Sequence, residues 1–235
     1  MCILLRKFLR RQRLSQSSNV KYSRKILYVA LLINCPPWPA DIEPNREHEF
    51  LNLLEQVHDS VHAAAKAVLI QDDLRGWHKT LFQPFVPRDY YAGRFRQINS
   101  ALPCLDYPVH VGGIAGTPSG KVVEEMNTLF VDLKSNIDNL EQRWAQAKPP
   151  ERAGLLSKTL AWFVGSYIRI HPFINGNGRT SRLLWRWGLT RFGSKPQVCT
   201  HPRPDTPYDD VMKHAMRGDD KPLRKFILQF LRDSK

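Results

Sequence analysis

No acidic residue precedes Asp41 in this chain of 235 residues, although Arg6, Lys7, Arg10, Arg11, Arg13, Lys21, Arg24 and Lys25 all lie before it. The formal charge of +13 is therefore concentrated at one end. Beyond those eight, 27 basic residues stand against 22 acidic ones, so the body is only mildly basic. Such an arm can bind nucleic acid or an anionic surface through counterion release, or remain a solvated tail. Cysteine is also scarce. Cys2, Cys35, Cys104 and Cys199 are scattered, with no Cys-x-x-Cys pair. That excludes a structural zinc site and a dense disulfide framework, and it predicts reduced thiols in a cytoplasmic setting. Long apolar runs are missing too. The run Ile26 to Ile33 is only eight residues, far short of a membrane span, and Asn34-Cys35-Pro36-Pro37 is no signal-cleavage site.

Apolar residues make up 42% and charged residues 24% of the chain, which fits a globular protein with a full core. Residues 1–45 read as a basic arm, poorly ordered and closed by the helix-breaking stretch CPPWPADIEPN; residues 46–235 read as one domain. The pattern of that domain is mainly α. Phe50, Leu53, Leu54, Val57, Val61 and Ala65 predict a helix over 46–70. A loop-rich stretch is expected from about 72 to 117, with a short strand or hairpin around Val109 and Val111.

Thr117-Pro118 offers an N-cap and a first-turn proline for a long helix whose face carries Val122, Met126, Leu129, Phe130, Leu133, Ile137, Leu140 and Trp144. Lys148-Pro149-Pro150 closes it, and further helices are expected over about 152–170, from Arg179 to Gly193, from Thr206-Pro207 to Gly218, and along Leu223 to Leu231.

The chemistry is concentrated in HPFINGNGRTSR, residues 171–182. Gly176 and Gly178 permit backbone angles denied to other residues, and Asn177 tolerates the left-handed region. Successive amides can then form an anion-binding nest at the positive end of the following helix. Arg179 and Arg182 share one face of that helix, with Arg186 one turn further along. Arginine forks match phosphate oxygens in pairs, and the Asn177 amide can donate to another. This is a polyphosphate cradle, unlike the loop Gly-x-x-x-x-Gly-Lys-Ser/Thr of other nucleotide sites. His171, just ahead of it, titrates near neutrality and can take a proton from an attacking hydroxyl.

These residues closely resemble the Fic signature His-x-Phe-x-Asp/Glu-Gly-Asn-Gly-Arg-x-x-Arg. Gly93-Arg94-Phe95-Arg96 is similar to the upstream Gly-x-Tyr/Phe-Arg element of that family, and HVGGIAGTP to the flap ahead of its long helix. The resemblance covers about residues 46–235 and implies a Fic-type helical bundle with a short β-hairpin flap. It further implies transfer of AMP from ATP, with Mg2+, to a Ser, Thr or Tyr hydroxyl of a target protein. In that reading His171 is the general base and Phe173 the buried anchor of the loop. Gly176, Asn177 and Gly178 hold the α and β phosphates, and Arg179 and Arg182 the β and γ phosphates. The flap, Val109, His110, Val111, Gly112 and Gly113, pairs with the target's backbone.

Two departures stand out. Asn175 occupies the position of the magnesium-binding carboxylate, and a neutral oxygen suits a hard cation less well. None of the glutamates is followed by Gly or Asn, so the family's inhibitory Ser/Thr-x-x-x-Glu-Gly/Asn segment is missing. A separate antitoxin-like partner would then supply that restraint, or the chain is not restrained this way. Transfer of another nucleotide, phosphocholine or phosphate by the same site, or a non-catalytic nucleotide- or nucleic-acid-binding role, are the alternatives.

Overall fold

A computed structural model describes residues 35–39, 41–194, 198, 200, 201 and 207–233. The chain divides into two units, 1–35 and 36–235. Of the first, only Cys35 is among the described residues; of the arm expected over 1–45, residues 1–34 and 40 lie outside them. The second is mainly helical, with seven α-helices and one two-stranded sheet among the described residues.

Helix α1 spans Glu47–Ala64 and buries Phe50, Leu54, Val57 and Val61, the face anticipated from their spacing. It stops six residues before the expected end. A second helix, α2, occupies Gln71–Phe82, where a loop was expected. Its inward face is Leu74, Trp77, His78, Leu81 and Phe82. The Asp73 carboxylate accepts the Ile70 backbone N–H at 3.1 Å and closes its first turn.

The irregular stretch that follows is pinned at intervals, with the Arg96 N–H donating to the Pro172 carbonyl and the Gln97 N–H to the Leu105 carbonyl. It leads into an antiparallel hairpin of β1 (His110–Val111) and β2 (Ile114–Ala115), in the register His110↔Ala115 and Val111↔Ile114. Gly112 and Gly113 have φ of 55° and 82°, and two successive positive φ angles are what a two-residue turn of this twist demands.

Helix α3 (Ser119–Gln146) buries Val122, Met126, Leu129, Phe130, Leu133, Ile137 and Leu140 as expected. Thr117 does not cap it: Pro118 precedes the first turn, and the Thr117 hydroxyl donates instead to Glu125 at 2.6 Å. The pair Pro149-Pro150 opens the next helix, α4 (Pro149–Ile170), rather than closing the previous one. Proline in a first turn sacrifices no hydrogen bond there. Helix α5 covers Asn177–Arg191, α6 Tyr208–Met216 and α7 Lys221–Asp233. The expected start of α6 at Thr206 falls outside the described residues. Helix α4 is central and touches α3, α5, α6 and α7. Its Leu156, Leu160, Phe163, Val164 and Tyr167 are buried.

The cysteine expectation fails at two positions. Neither Cys35 nor Cys104 is a free thiol, each being engaged in a disulfide. Neither stands in a spacing from which this could be read.

Candidate active site

The path from α4 to α5 is residues 171–176, and each backbone turn in it has a cause. His171 ends α4 in the left-handed region, with φ 52° and ψ 60°, the single such non-glycine among the described residues. That conformation costs on the order of 1 kcal/mol, and Arg96 holds it. The Arg96 guanidinium is fully buried and donates to the carbonyls of His171 at 2.9 Å, Ile170 at 3.0 Å, Tyr107 at 3.0 Å and Thr117 at 2.8 Å. One side chain therefore ties the histidine to both ends of the hairpin segment.

Phe173 is completely buried, stacked on the His78 ring at 3.7 Å between centroids and tilted against Phe95 at 5.1 Å. Asn177 closes the loop above it: its Oδ1 accepts the Phe173 N–H at 3.0 Å and its Nδ2 donates to the Phe173 carbonyl at 2.8 Å. The Tyr167 hydroxyl adds a donor to the same Oδ1 at 3.4 Å. Both ends of the Asn177 side-chain amide are thus engaged with the loop, which leaves the backbone N–H as the better-placed donor to an anion at this position.

Gly176 immediately precedes α5, with φ 79°. A Cβ there would meet Phe82 at 2.5 Å and His78 Nε2 at 3.1 Å, so both conformation and space require glycine. Beneath it, His78 receives the Gly93 N–H on Nδ1 at 2.9 Å and donates from Nε2 to the Asn175 carbonyl at 3.0 Å. This fixes one tautomer, and burial lowers the His78 pKa to about 3. The residue missed with α2 is thus the floor of the loop.

A cavity of about 300 Å³ opens over this loop. His171, Asn175, Gly176, Asn177, Gly178, Arg179 and Arg182 line one wall, so the structure brings the motif residues together as expected. First-turn amides of a helix have no partner four residues back, which makes the start of α5 an electropositive wall. Arg179 lies 5.2 Å from the Phe50 ring centre and 6.0 Å from that of Phe82. Arg182 is 3% exposed, sits over Tyr208 at 5.6 Å and donates to the Thr200 carbonyl at 2.8 Å. Arg186 does not line the cavity. It lies beside His58, whose pKa is lowered to about 4 by burial first and by that positive charge second.

Of the flap residues, His110, Val111 and Gly112 reach the cavity; Val109 is buried, its carbonyl accepting the Gly116 N–H, and Gly113 is at the tip of the turn. The remaining wall was not anticipated. Ile168, Tyr208 and Met212 give it an apolar side, and Asp41 and Asp209 bring carboxylates. Ser181 links α5 to α6 through a 3.1 Å contact with the Tyr208 hydroxyl.

The His171 ring is tied back to its own helix. Its Nδ1 lies 3.3 Å from the Ile168 carbonyl, an acceptor, so the proton sits on Nδ1 and the Nε2 lone pair is left for chemistry. Burial is the main cause of a pKa lowered to about 4, opposed by the Ile168 hydrogen bond and assisted by the charge of Arg96. The imidazole is neutral at pH 7.

Asn175 is engaged at both ends of its amide. Oδ1 accepts the Gly176 N–H at 2.6 Å, and Nδ2 donates to the Trp38 and Pro39 carbonyls, each at 3.1 Å. An amide so committed is poorly placed to coordinate magnesium. Among the described residues no group of three or more His, Cys, Asp or Glu side chains could hold a metal ion. The side chains at this position do not fit a directly held ion.

Comparisons with known proteins bear on the family and the fold. The model of the Fic/DOC family matches residues 68–189. Protein adenylyltransferase Fic of Drosophila grimshawi and that of Drosophila erecta are each 45% identical over 60 residues, a stretch covering 26% of this chain and only 12% of either relative. A Fic-domain-containing signaling protein from Bacteroides thetaiotaomicron superposes with a TM-score of 0.57 at 18% identity, covering 88% of this chain and 76% of that one. Fic-1 of C. elegans (residues 134–508) gives a TM-score of 0.57 at 18% identity, covering 95% and 66%. At that identity the likeness is one of fold.

Proposed function

The chain belongs to the Fic/DOC family, and from that premise we propose that it is a protein adenylyltransferase that moves AMP from ATP to a Ser, Thr or Tyr hydroxyl of a target protein. The observation that carries the reading is the pairing, in one cavity, of a histidine with its Nδ1 tied back and an electropositive helix start bearing Arg179 and Arg182.

The hydroxyl oxygen attacks the α-phosphorus while the bond from that phosphorus to the bridging oxygen breaks, and pyrophosphate departs. His171 Nε2 takes the hydroxyl proton. The amides at the start of α5 and the two arginines hold the phosphates in line and balance charge on the leaving group, which is electrostatic preorganisation. The wall of Ile168, Tyr208 and Met212 offers an apolar surface to the nucleoside. The edge of the hairpin at Val109 to Gly113 receives the target's backbone as an added strand. Magnesium accompanying ATP would supply charge neutralisation on the phosphates, but Asn175 does not fit it as a ligand, so no step here depends on a protein-held ion.

The test is transfer of radiolabel from α-labelled and from γ-labelled ATP onto proteins of a lysate. His171→Ala is expected to reduce α-label incorporation about 10²–10⁴-fold, the usual contribution of a general base, while retaining ATP binding. Label from the γ position would assign a phosphate donor instead. No label from either, in folded protein, would reject the proposal.

A further inference from the structure

Residues 36–39, 41 and 42 precede the family-matched segment and were counted with the arm, yet they lie against the loop that carries the site. The Tyr91 hydroxyl donates to the Pro36 carbonyl at 3.3 Å. The Trp38 ring stands edge-on to His78 at 5.9 Å and Phe82 at 5.4 Å, and tilted to Tyr91 at 6.3 Å. His78 and Phe82 are the two side chains against which Gly176 is packed. Two residues beyond Pro39, Asp41 forms part of the cavity wall. Across the gap, Asn175 holds Trp38 and Pro39 by their carbonyls while its oxygen holds the Gly176 N–H.

We propose that this strap is part of the nucleotide site, and that Asn175 is the positioning residue that latches it to the phosphate loop. The proposal rests on the nucleotide-binding reading above. The chemistry of position 175 selects the amide. It faces two acceptors on one side and one donor on the other, and only a group that both donates and accepts satisfies all three. Aspartate would keep the bond to Gly176 but turn a charged oxygen toward two carbonyl oxygens. A carboxylate for a cation and a latch for the strap are therefore mutually exclusive here, and this chain has the latch. Through Trp38 the strap also completes the packing under His78 and Phe82, so releasing it loosens the floor of Gly176.

The test compares wild type, Asn175→Asp and Trp38→Ala. Limited proteolysis within residues 36–42 of the unliganded protein reports the latch, and ATP affinity measured in EDTA reports the loop. Loss of two hydrogen bonds of ordinary net worth is expected to speed cleavage by about tenfold or more, and ATP is expected to bind about tenfold more weakly to Asn175→Asp. Trp38→Ala, which carries no charge change, is expected to weaken ATP binding in the same direction and keeps the test open if the aspartate variant does not fold. Unchanged cleavage in Asn175→Asp, together with ATP binding that magnesium now strengthens, would overturn the latch and make position 175 a metal site. Wild-type protein that binds ATP with an affinity unmoved by both variants would sink the role of the strap alone; wild-type protein that binds no ATP would sink the nucleotide reading itself.

Discussion

Arg96 Nε donates to the carbonyl of His171 at 2.9 Å, and the same guanidinium reaches Tyr107 and Thr117 on either side of the hairpin. The residue proposed to move the proton and the hairpin proposed to hold the target thus share one buried cation. Burial lowers the Arg96 pKa to about 10, so it stays charged throughout the neutral range. Arg96→Met would keep the volume but leave four carbonyls short of a donor. Each orphaned buried acceptor costs about 1–3 kcal/mol, so chemical denaturation should show a loss of about 3 kcal/mol or more. Arg96→Lys, with fewer donors and no planar fork, should fall between. A loss under about 1 kcal/mol would show that water replaces the guanidinium without cost.

Gly176 and Gly178 are two residues apart and should answer oppositely to alanine. At Gly176 the new Cβ meets Phe82 at 2.5 Å on a backbone with φ 79°. Strain and overpacking together cost on the order of 2–4 kcal/mol, and the loop should lose ATP binding. At Gly178 the nearest atom is Arg182 Nη1 at 3.7 Å, and no positive φ is required. That variant should unfold within about 0.5 kcal/mol of wild type. Thermal unfolding of the two alanine variants decides the matter, and equal losses would mean that the contacts under Gly176 relax without cost.

Asn177 tests the division of labour in the motif. Its side chain is 2% exposed and staples both backbone groups of Phe173. Asn177→Ala should therefore lower stability by about 2 kcal/mol or more, with the loss visible in the absence of any nucleotide. A variant with wild-type unfolding and selectively weakened ATP affinity would return the side chain to the phosphates.

What was legible in the sequence had a local period or a local conformational demand. The face Val122 to Leu140, the Gly112-Gly113 turn and the sequence Gly176-Asn177-Gly178 each announce their structure within a few residues. Helix α2 carried the same kind of signal in Leu74, Trp77, His78, Leu81 and Phe82, but Pro84, Pro87, Pro103 and Pro108 beyond it made the whole stretch read as a loop. With it went His78, the floor of the site. The rest could not be read locally. Asn175 meets Trp38 and Pro39 across 137 and 136 residues. Tyr208 and Met212 reach the cavity only because α6 packs on α4. Even within the motif, residue identity revealed the presence of an amide at 177 but not which way it turned.

The buried histidines predict how the fold responds to acid. His78 has its pKa lowered from 6.5 to about 3, and His171 and His58 have theirs lowered to about 4, burial being the largest cause for each. In the unfolded chain each reverts to the usual value, so between about pH 4 and 6.5 the unfolded state binds more protons than the folded one. Stability from these groups is fully present above pH 6.5 and is lost as the pH falls through that window. For His78 the geometry explains the sign: protonation would add a donor at Nδ1, where the Gly93 N–H already points. The unfolding midpoint should therefore fall steadily from pH 6.5 to 4. His78→Gln, which can still donate to the Asn175 carbonyl, should start lower at pH 7 but decline less steeply. Parallel declines for variant and wild type would show that another group bears the acid sensitivity.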